Sequence, residues 1–267
     1  VLLHILAQHP SIATKLTAVH VHHGLQSAAD DWVVHCESQC KILNVPFQVF
    51  YVNAKPEAGQ SPEEAAREAR YKVFQQLLSN NDLLLLAQHR EDQMETLLLQ
   101  LFRGAGIEGL AAMPANAALR IGNVCRPFLA VAKDEIVQYA QHHNLNWVED
   151  PSNHDISYDR NFLRNQVIPL LRQRWPSVDK TIARSAGLCA EALELIALSS
   201  IQNLPKVVDS ADHCLLITEW QAYHPVEQDW LVRHWLRQYY GLRPPSQAVL
   251  HELKRQLSVA GSNADTV

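Results

Sequence analysis

The period of the apolar positions changes along the chain. Val1-Leu2-Leu3-His4-Ile5-Leu6 reads as the apolar interior of a helix with no capping residue or first turn ahead of it, so the chain is expected to begin inside a secondary-structure element. Leu16 to His20 is strand-like and enters His22-His23-Gly24-Leu25. Ser27 and Asp30 then form a capping-box pattern for a helix that turns Trp32, Val33, Cys36, Cys40 and Leu43 inward. Phe47 to Val52 alternates as a second strand. Ser61-Pro62-Glu63-Glu64 sets a cap, a proline at the first helical position and acids in the first turn of a helix running to about Leu78. Leu83 to Ala87 is a continuous apolar strand, and Gln88-His89-Arg90-Glu91-Asp92 leads into a helix that ends near Arg103-Gly104. Cys125 to Leu129 supplies a further strand and Lys133 to His143 a further helix. Such alternation predicts an α/β fold with a Rossmann-like, doubly wound parallel sheet.

Alternation stops at Glu149-Asp150-Pro151-Ser152-Asn153. Beyond it the pattern is helical: a segment from Arg160 to Trp175-Pro176, one from Val178 to about Asn203, one from Glu227 to Tyr240 closed by Gly241, and a last from Ser246. Two domains are expected, an α/β domain over 1–155 and a helical domain over 156–267.

Composition narrows the classes. The longest apolar run is the strand Leu83 to Ala87, far short of the roughly 20 residues a membrane span needs. The odd, scattered set of five cysteines has no CxxC pair and points to a reducing cytoplasm. Cys36 and Cys40 share a helical face, where core packing competes with metal binding. The formal charge of -5 argues against wholesale wrapping of nucleic acid. Locally the balance reverses: Arg160, Arg164, Arg172, Arg174, Lys180 and Arg184 face only Asp159 and Asp179, and that segment can meet phosphate.

In an open parallel sheet, ligands bind beyond the carboxyl ends of the strands. His22-His23-Gly24 and His89-Arg90-Glu91-Asp92 sit at two such ends, and Asp92, Glu95 and Thr96 share one side of the emerging helix. The cluster can hold Mg²⁺ for a nucleotide's phosphates or an ammonium group. Alternatively, Glu91 and Asp92 only complement the helix dipole. Arg103-Gly104-Ala105-Gly106 can bring backbone amides to an anion or simply cap a helix. Arg67 and Arg70 have i, i+4 pairing as their default explanation, Glu63 with Arg67 for example. Arg160, Asn161 and Arg164, beside Tyr158 and Phe162, suit phosphate contact and base stacking on unpaired RNA, or a plain helix start capped by Asp159.

Five ordered segments resemble the bacterial tRNA-isoleucine lysidine synthetases: HVHHGL (20–25), EEAAREARY (63–71), AQHREDQMETLLLQLFRGAGIEGLAAM (87–113), RPFL (126–129) and EDPSNHDISYDRNFLRNQVIPLL (149–171). The resemblance implies an ATP-pyrophosphatase (PP-loop) fold followed by a helical domain. It also implies adenylation of the wobble cytidine at the oxygen on carbon 2, then displacement of AMP by the ε-amine of free L-lysine. The implied partners are ATP, Mg²⁺, lysine and isoleucine tRNA with a CAU anticodon, and a homodimer is compatible with it. By motif, His89, Asp92 and Glu95 line the ATP, Mg²⁺ and lysine site, with Asp92 as metal ligand and Asp92 or Glu95 receiving the lysine ammonium. Arg67 reaches the same pocket; His22, Arg103, Gly104 and Gly106 serve the nucleotide; Arg160, Asn161 and Arg164 approach the tRNA.

Three departures qualify the resemblance. Glu91 stands where the family has aspartate. No carboxyl-terminal tRNA-binding domain is evident, and the family's SGGxDS phosphate loop is not in the sequence, so poor ATP binding is expected of the chain as written. A non-catalytic RNA-binding fragment and a related tRNA thiolation enzyme are the alternatives.

Overall fold

The computed structural model describes residues 1–24, 29–57, 59, 61–242 and 244–263, of which 258–263 are described as backbone alone. It divides into two compact units, Val1–Ala186 and Gly187–Val267. The first opens with α1 (Leu2–Ala7), α2 (Pro10–Ala13), β1 (Ala18–His22), α3 (Ala29–Ile42), β2 (Phe47–Tyr51) and α4 (Pro62–Leu77). There follow β3 (Leu83–Leu85), α5 (Arg90–Phe102), α6 (Ile107–Leu110), β4 (Asn116–Ala118), β5 (Asn123–Cys125), α7 (Lys133–His142), a 3₁₀ turn (Pro151–His154), α8 (Asp159–Phe162), a π-helical turn (Leu163–Val167) and α9 (Ile168–Arg174). The division falls within α10 (Val178–Val207), and α11 (Ile217–Gln221), α12 (Pro225–Tyr240) and α13 (Gln247–Asn263) complete the chain.

The α/β reading holds, with parallel pairing where strand and helix alternate. β1 lies parallel to β2 with Ala18 opposite Phe47 and His22 opposite Tyr51, and α3 is the crossover. β3 lies parallel to β5, Leu83 opposite Asn123. Two details differ from expectation. β4 adds an antiparallel edge to β5, so the described strands form a two-stranded and a three-stranded sheet rather than one all-parallel sheet. The strand expected over Cys125 to Leu129 ends where it was to begin, because Pro127 has no N–H for a ladder and the chain turns there. Buried Arg126 instead ties that turn down, donating to the Pro114 carbonyl at 2.7 Å and to Gln88 Oε1 at 3.1 Å.

Helix starts follow local chemistry. Ser61 Oγ accepts from the Glu64 amide at 3.2 Å, with Pro62 in the first turn of α4. Gly241 closes α12 in the left-handed conformation, φ +63°. The Ser27 half of the expected capping box lies outside the described residues.

Alternation stops near residue 155, yet the first compact unit runs on to Ala186. The reason is a shared core: Met94 and Leu98 of α5 pack with Leu163, Ile168 and Val178. The second unit has its own core of Leu204, Val207, Val208, Trp220, Leu231, Val232 and Leu250, in which the Trp220 indole N–H finds the Gln228 carbonyl at 3.0 Å. No helix among the described residues is long and apolar enough to cross a membrane.

Gly122 sits in the turn between β4 and β5 with φ +73°, and a Cβ there would lie 2.9 Å from the Asp82 carbonyl oxygen and 3.0 Å from that of Ser79. Both obstacles are backbone. Gly122→Ala is therefore expected to lower the stability of the first unit by about 1–3 kcal/mol in denaturant titration, and an unchanged midpoint would contradict the assigned turn.

Candidate active site

The carboxyl end of β1 and the amino end of α5 face one cavity of about 840 Å³. His22, His23 and Gly24 line it from β1; Pro62, Glu63, Ala66, Arg70 and Phe74 from α4; Asp92 from α5; Asp150, Ser152 and Asn153 from the 3₁₀ turn; and Tyr158, Arg160, Asn161 and Arg164 from the helical segment beyond.

The first turn of α5 is tightly organised. The Asp92 carboxylate accepts from the His89 amide at 3.0 Å, which satisfies one of the free N–H groups at the helix start. The His89 ring lies between two acids, Nδ1 3.0 Å from Glu91 and Nε2 3.4 Å from Asp92. Glu91 also accepts from the Lys133 amide at 2.9 Å and lies 3.4 Å from Arg172, which in turn pairs with Asp179. Burial pushes the Glu91 carboxyl up, but the bonds from His89 and Lys133 outweigh it and hold its pKa at about 2. Glu91 thus joins α5 to α7 and α9, whereas Asp92 faces the cavity.

One turn later, fully buried Glu95 takes both basic side chains of the next segment. Arg164 grips it in a two-bond fork, Nε to Oε1 at 2.6 Å and Nη2 to Oε2 at 2.8 Å, and Arg160 Nε reaches Oε2 at 2.8 Å. Asp92 Oδ1 is a looser neighbour, 3.4 Å from Arg164 and 3.9 Å from Arg160. Burial alone lowers both guanidinium pKa values; the Glu95 contacts reverse that, and both are raised. Asn161 is committed too, its amide donating to the carbonyls of Ser152 at 2.7 Å and Asp155 at 2.9 Å. Asn165 donates to the Asn153 carbonyl at 2.9 Å, so two asparagines pin the 3₁₀ turn to the cavity rim.

The structure therefore brings His22, His89, Asp92, Glu95, Arg160, Asn161 and Arg164 to one place. It does not bring the others. Arg67 stacks over the Tyr71 ring at 4.8 Å and does not line the cavity, while Arg70, one turn on and also exposed, does. The signal for Arg70 was present as the i, i+4 stripe of Pro62, Ala66, Arg70 and Phe74, all four on the cavity wall. Arg103, Gly104 and Gly106 lie beyond the far end of α5, roughly 17 Å along the helix from Asp92, and do not line the cavity. Gly104 has φ +68°, the left-handed conformation that a helix cap requires. Cys40 is buried and Cys36 half-buried, with burial pushing both thiols up, and among the described residues no three metal-ligating side chains converge.

The PP-loop domain family profile matches residues 1–171, which span every side chain named at this site from His22 to Arg164. The chain belongs to the PP-loop family. A second profile, the TilS substrate binding domain, matches residues 215–266. Among curated relatives, tRNA(Ile)-lysidine synthase of Coxiella burnetii is 41% identical over 99% of this chain and 58% of its own length. That of Pseudomonas putida is 43% identical over 89% and 57%, and that of Pseudomonas fluorescens 51% identical over 73% and 44%. The chain thus spans between about two fifths and three fifths of these relatives, and the resemblance read from the five motifs is borne out. Among solved structures, the U34-tRNA thiolase NcsA from Methanococcus maripaludis, a structure with its [4Fe-4S] cluster, shares the fold with a TM-score of 0.57 at 12% identity, over 71% of this chain and 67% of that one. At that identity the likeness speaks for the PP-loop fold alone.

The Glu91 contacts set a pH dependence. Its folded pKa of about 2 lies below the ordinary 4.5, so its contribution is present above pH 4.5 and is lost as pH falls through 2. Stability is expected to drop by roughly 3 kcal/mol across that window, and Glu91→Gln should flatten this part of the profile. Superimposable profiles for the two proteins would remove Glu91 from its place in the network.

Proposed function

We propose that this chain is the catalytic body of a tRNA(Ile)-lysidine synthase that works in the cytoplasm on the wobble cytidine of isoleucine tRNA, with ATP and free L-lysine as co-substrates. The observation that carries the reading is the arrangement of charge at the cavity: a carboxylate, Asp92, on the wall, and two arginines anchored behind it on Glu95. The cavity volume of about 840 Å³ accommodates a nucleotide beside a lysine side chain.

In the proposed sequence, the oxygen on carbon 2 of cytidine attacks the α-phosphorus of ATP and pyrophosphate leaves. The ε-amine of lysine then attacks carbon 2, and AMP departs with that oxygen. The amine must shed a proton, and in this reading Asp92, on the cavity wall, holds the ammonium and takes it. Glu95 has both oxygens engaged by Arg160 and Arg164, so an ammonium reaches it only by displacing a guanidinium. This favours Asp92 as the lysine ligand. Mg²⁺ would offset phosphate charge, and Asp92 on the cavity wall is the residue that would hold it. The asparagine-pinned 3₁₀ turn makes Asn161 a support for the rim, and direct tRNA contact falls to side chains such as Arg174, Lys180 and Arg184. Among the described residues, no ion pair engages these three, whereas Arg172 is held by Asp179.

The test is transfer of labelled lysine to isoleucine tRNA by the full gene product carrying these residues. Asp92→Asn is expected to reduce transfer by about a hundredfold or more while pyrophosphate release falls less. Undiminished transfer by that variant would remove Asp92 from the role given to it.

A further inference from the structure

The turn between α9 and α10 is built on the apolar core but leaves an aromatic side chain in water. Pro176 has no N–H with which to continue α9, and Trp175 before it leaves the helical region at φ −128° and ψ 86°. The backbone of Trp175 is satisfied: its amide donates to the Leu171 carbonyl at 2.8 Å and its carbonyl accepts from the Val178 amide at 3.0 Å. Leu171 and Val178 both belong to the apolar cluster around Met94 and Leu98, so the turn is held from each side. The side chain is not part of that cluster. Trp175 is 58% exposed, and among the described residues its indole N–H has no hydrogen-bond partner, whereas the Trp220 indole is buried and bonded. Charge around it has one sign. From Asn165 to Ala190 the one acid is Asp179, and Arg172 takes it at 2.8 Å. Arg174, Lys180 and Arg184 are exposed and, among the described residues, without an ion pair. Lys180 and Arg184 stand one turn apart on α10 and share a side of it.

We infer that Trp175 is a stacking platform for an unpaired base of the RNA substrate, with Arg174, Lys180 and Arg184 on the phosphates beside that base. The inference rests on the proposed function for the identity of the RNA, and deepens it by naming a residue that meets a base rather than a phosphate. An exposed indole on a fixed turn offers a planar surface that costs little ordering when a ring is laid on it, and every nucleobase has a face to match. The surrounding cations select an anionic partner over a neutral apolar one. A base inside a duplex has both faces covered by its neighbours, so stacking on Trp175 requires a loop or a single strand. The cations alone make no such distinction.

The experiment uses the full gene product with fluorine-labelled tryptophan, the Trp175 resonance being assigned by its loss in Trp175→Phe. A short single-stranded RNA and a blunt-ended RNA duplex are the probes. A shift of the Trp175 resonance with the single strand and not with the duplex is expected. In fluorescence anisotropy, Trp175→Ala should bind the single strand about tenfold more weakly, Trp175→Phe should recover most of the loss, and the dependence on salt should not change. Replacing Arg174, Lys180 and Arg184 together by Gln should instead flatten the salt dependence, by about two in the slope of log affinity against log salt concentration. An unmoved Trp175 resonance, or equal loss for single strand and duplex in Trp175→Ala, overturns the inference. So does RNA affinity that survives Trp175→Ala while a concentration-dependent self-association is abolished, because the indole then packs against protein. Lysine transfer is measured in parallel. Single-strand stacking without any transfer by the unsubstituted protein sinks the functional reading and leaves the platform standing; transfer with an unresponsive Trp175 does the reverse.

Discussion

A carboxylate removed from water must find cations, and Glu95 finds two. Its position on α5 is set by the apolar face of that helix, where Met94 and Leu98 are pressed into the core, so the acid is carried inward with them. Unpaired, it would cost several kcal/mol. The forked bond to Arg164 and the single bond to Arg160 remove that cost, and in doing so they bind the segment after residue 155 to the α/β part. The pairing also leaves Asp92, one turn earlier, as the acid of α5 that faces the cavity.

The neighbouring polar contacts extend the same arrangement. Glu91 secures α7 and α9 through Lys133 and Arg172, while Asn161 and Asn165 fix the 3₁₀ turn at the rim. A π-helical turn over Leu163–Val167 carries Arg164 and Asn165. Pro169 lacks the N–H that would otherwise meet the Asn165 carbonyl, which suits a widened turn at this point. The result is a cavity whose acids and bases are mostly spoken for. Asp92, held more loosely than Glu95 and lining the cavity, is the acid of α5 to which chemistry is assigned.

Much of this was legible in the sequence. Strand and helix alternation, the Ser61 cap, the Gly241 cap and the convergence of the His22 loop with His89 and Asp92 follow from period and loop position. What was not legible depends on distance in three dimensions. The antiparallel edge β4 is three residues long and has no alternation to announce it. Arg67 and Arg70 both have helical i, i+4 neighbours in the sequence, and the packing of α4 decides that the stripe of Pro62, Ala66, Arg70 and Phe74 is the one that meets the cavity. The basic count between Arg160 and Arg184 suggested a free positive surface, yet three of those arginines are internal partners of Glu91, Asp92, Glu95 and Asp179. Spacing along a sequence cannot say which charge already has a mate.

The most direct test of this account is a double-mutant cycle at Glu95 and Arg164, read as unfolding free energy in denaturant. Glu95→Gln and Arg164→Gln should each destabilise the protein, and the pair together should cost less than the sum by about 2 kcal/mol. Additivity within roughly 0.5 kcal/mol would mean that the two side chains act independently, and the account of how the cavity is held together would fail.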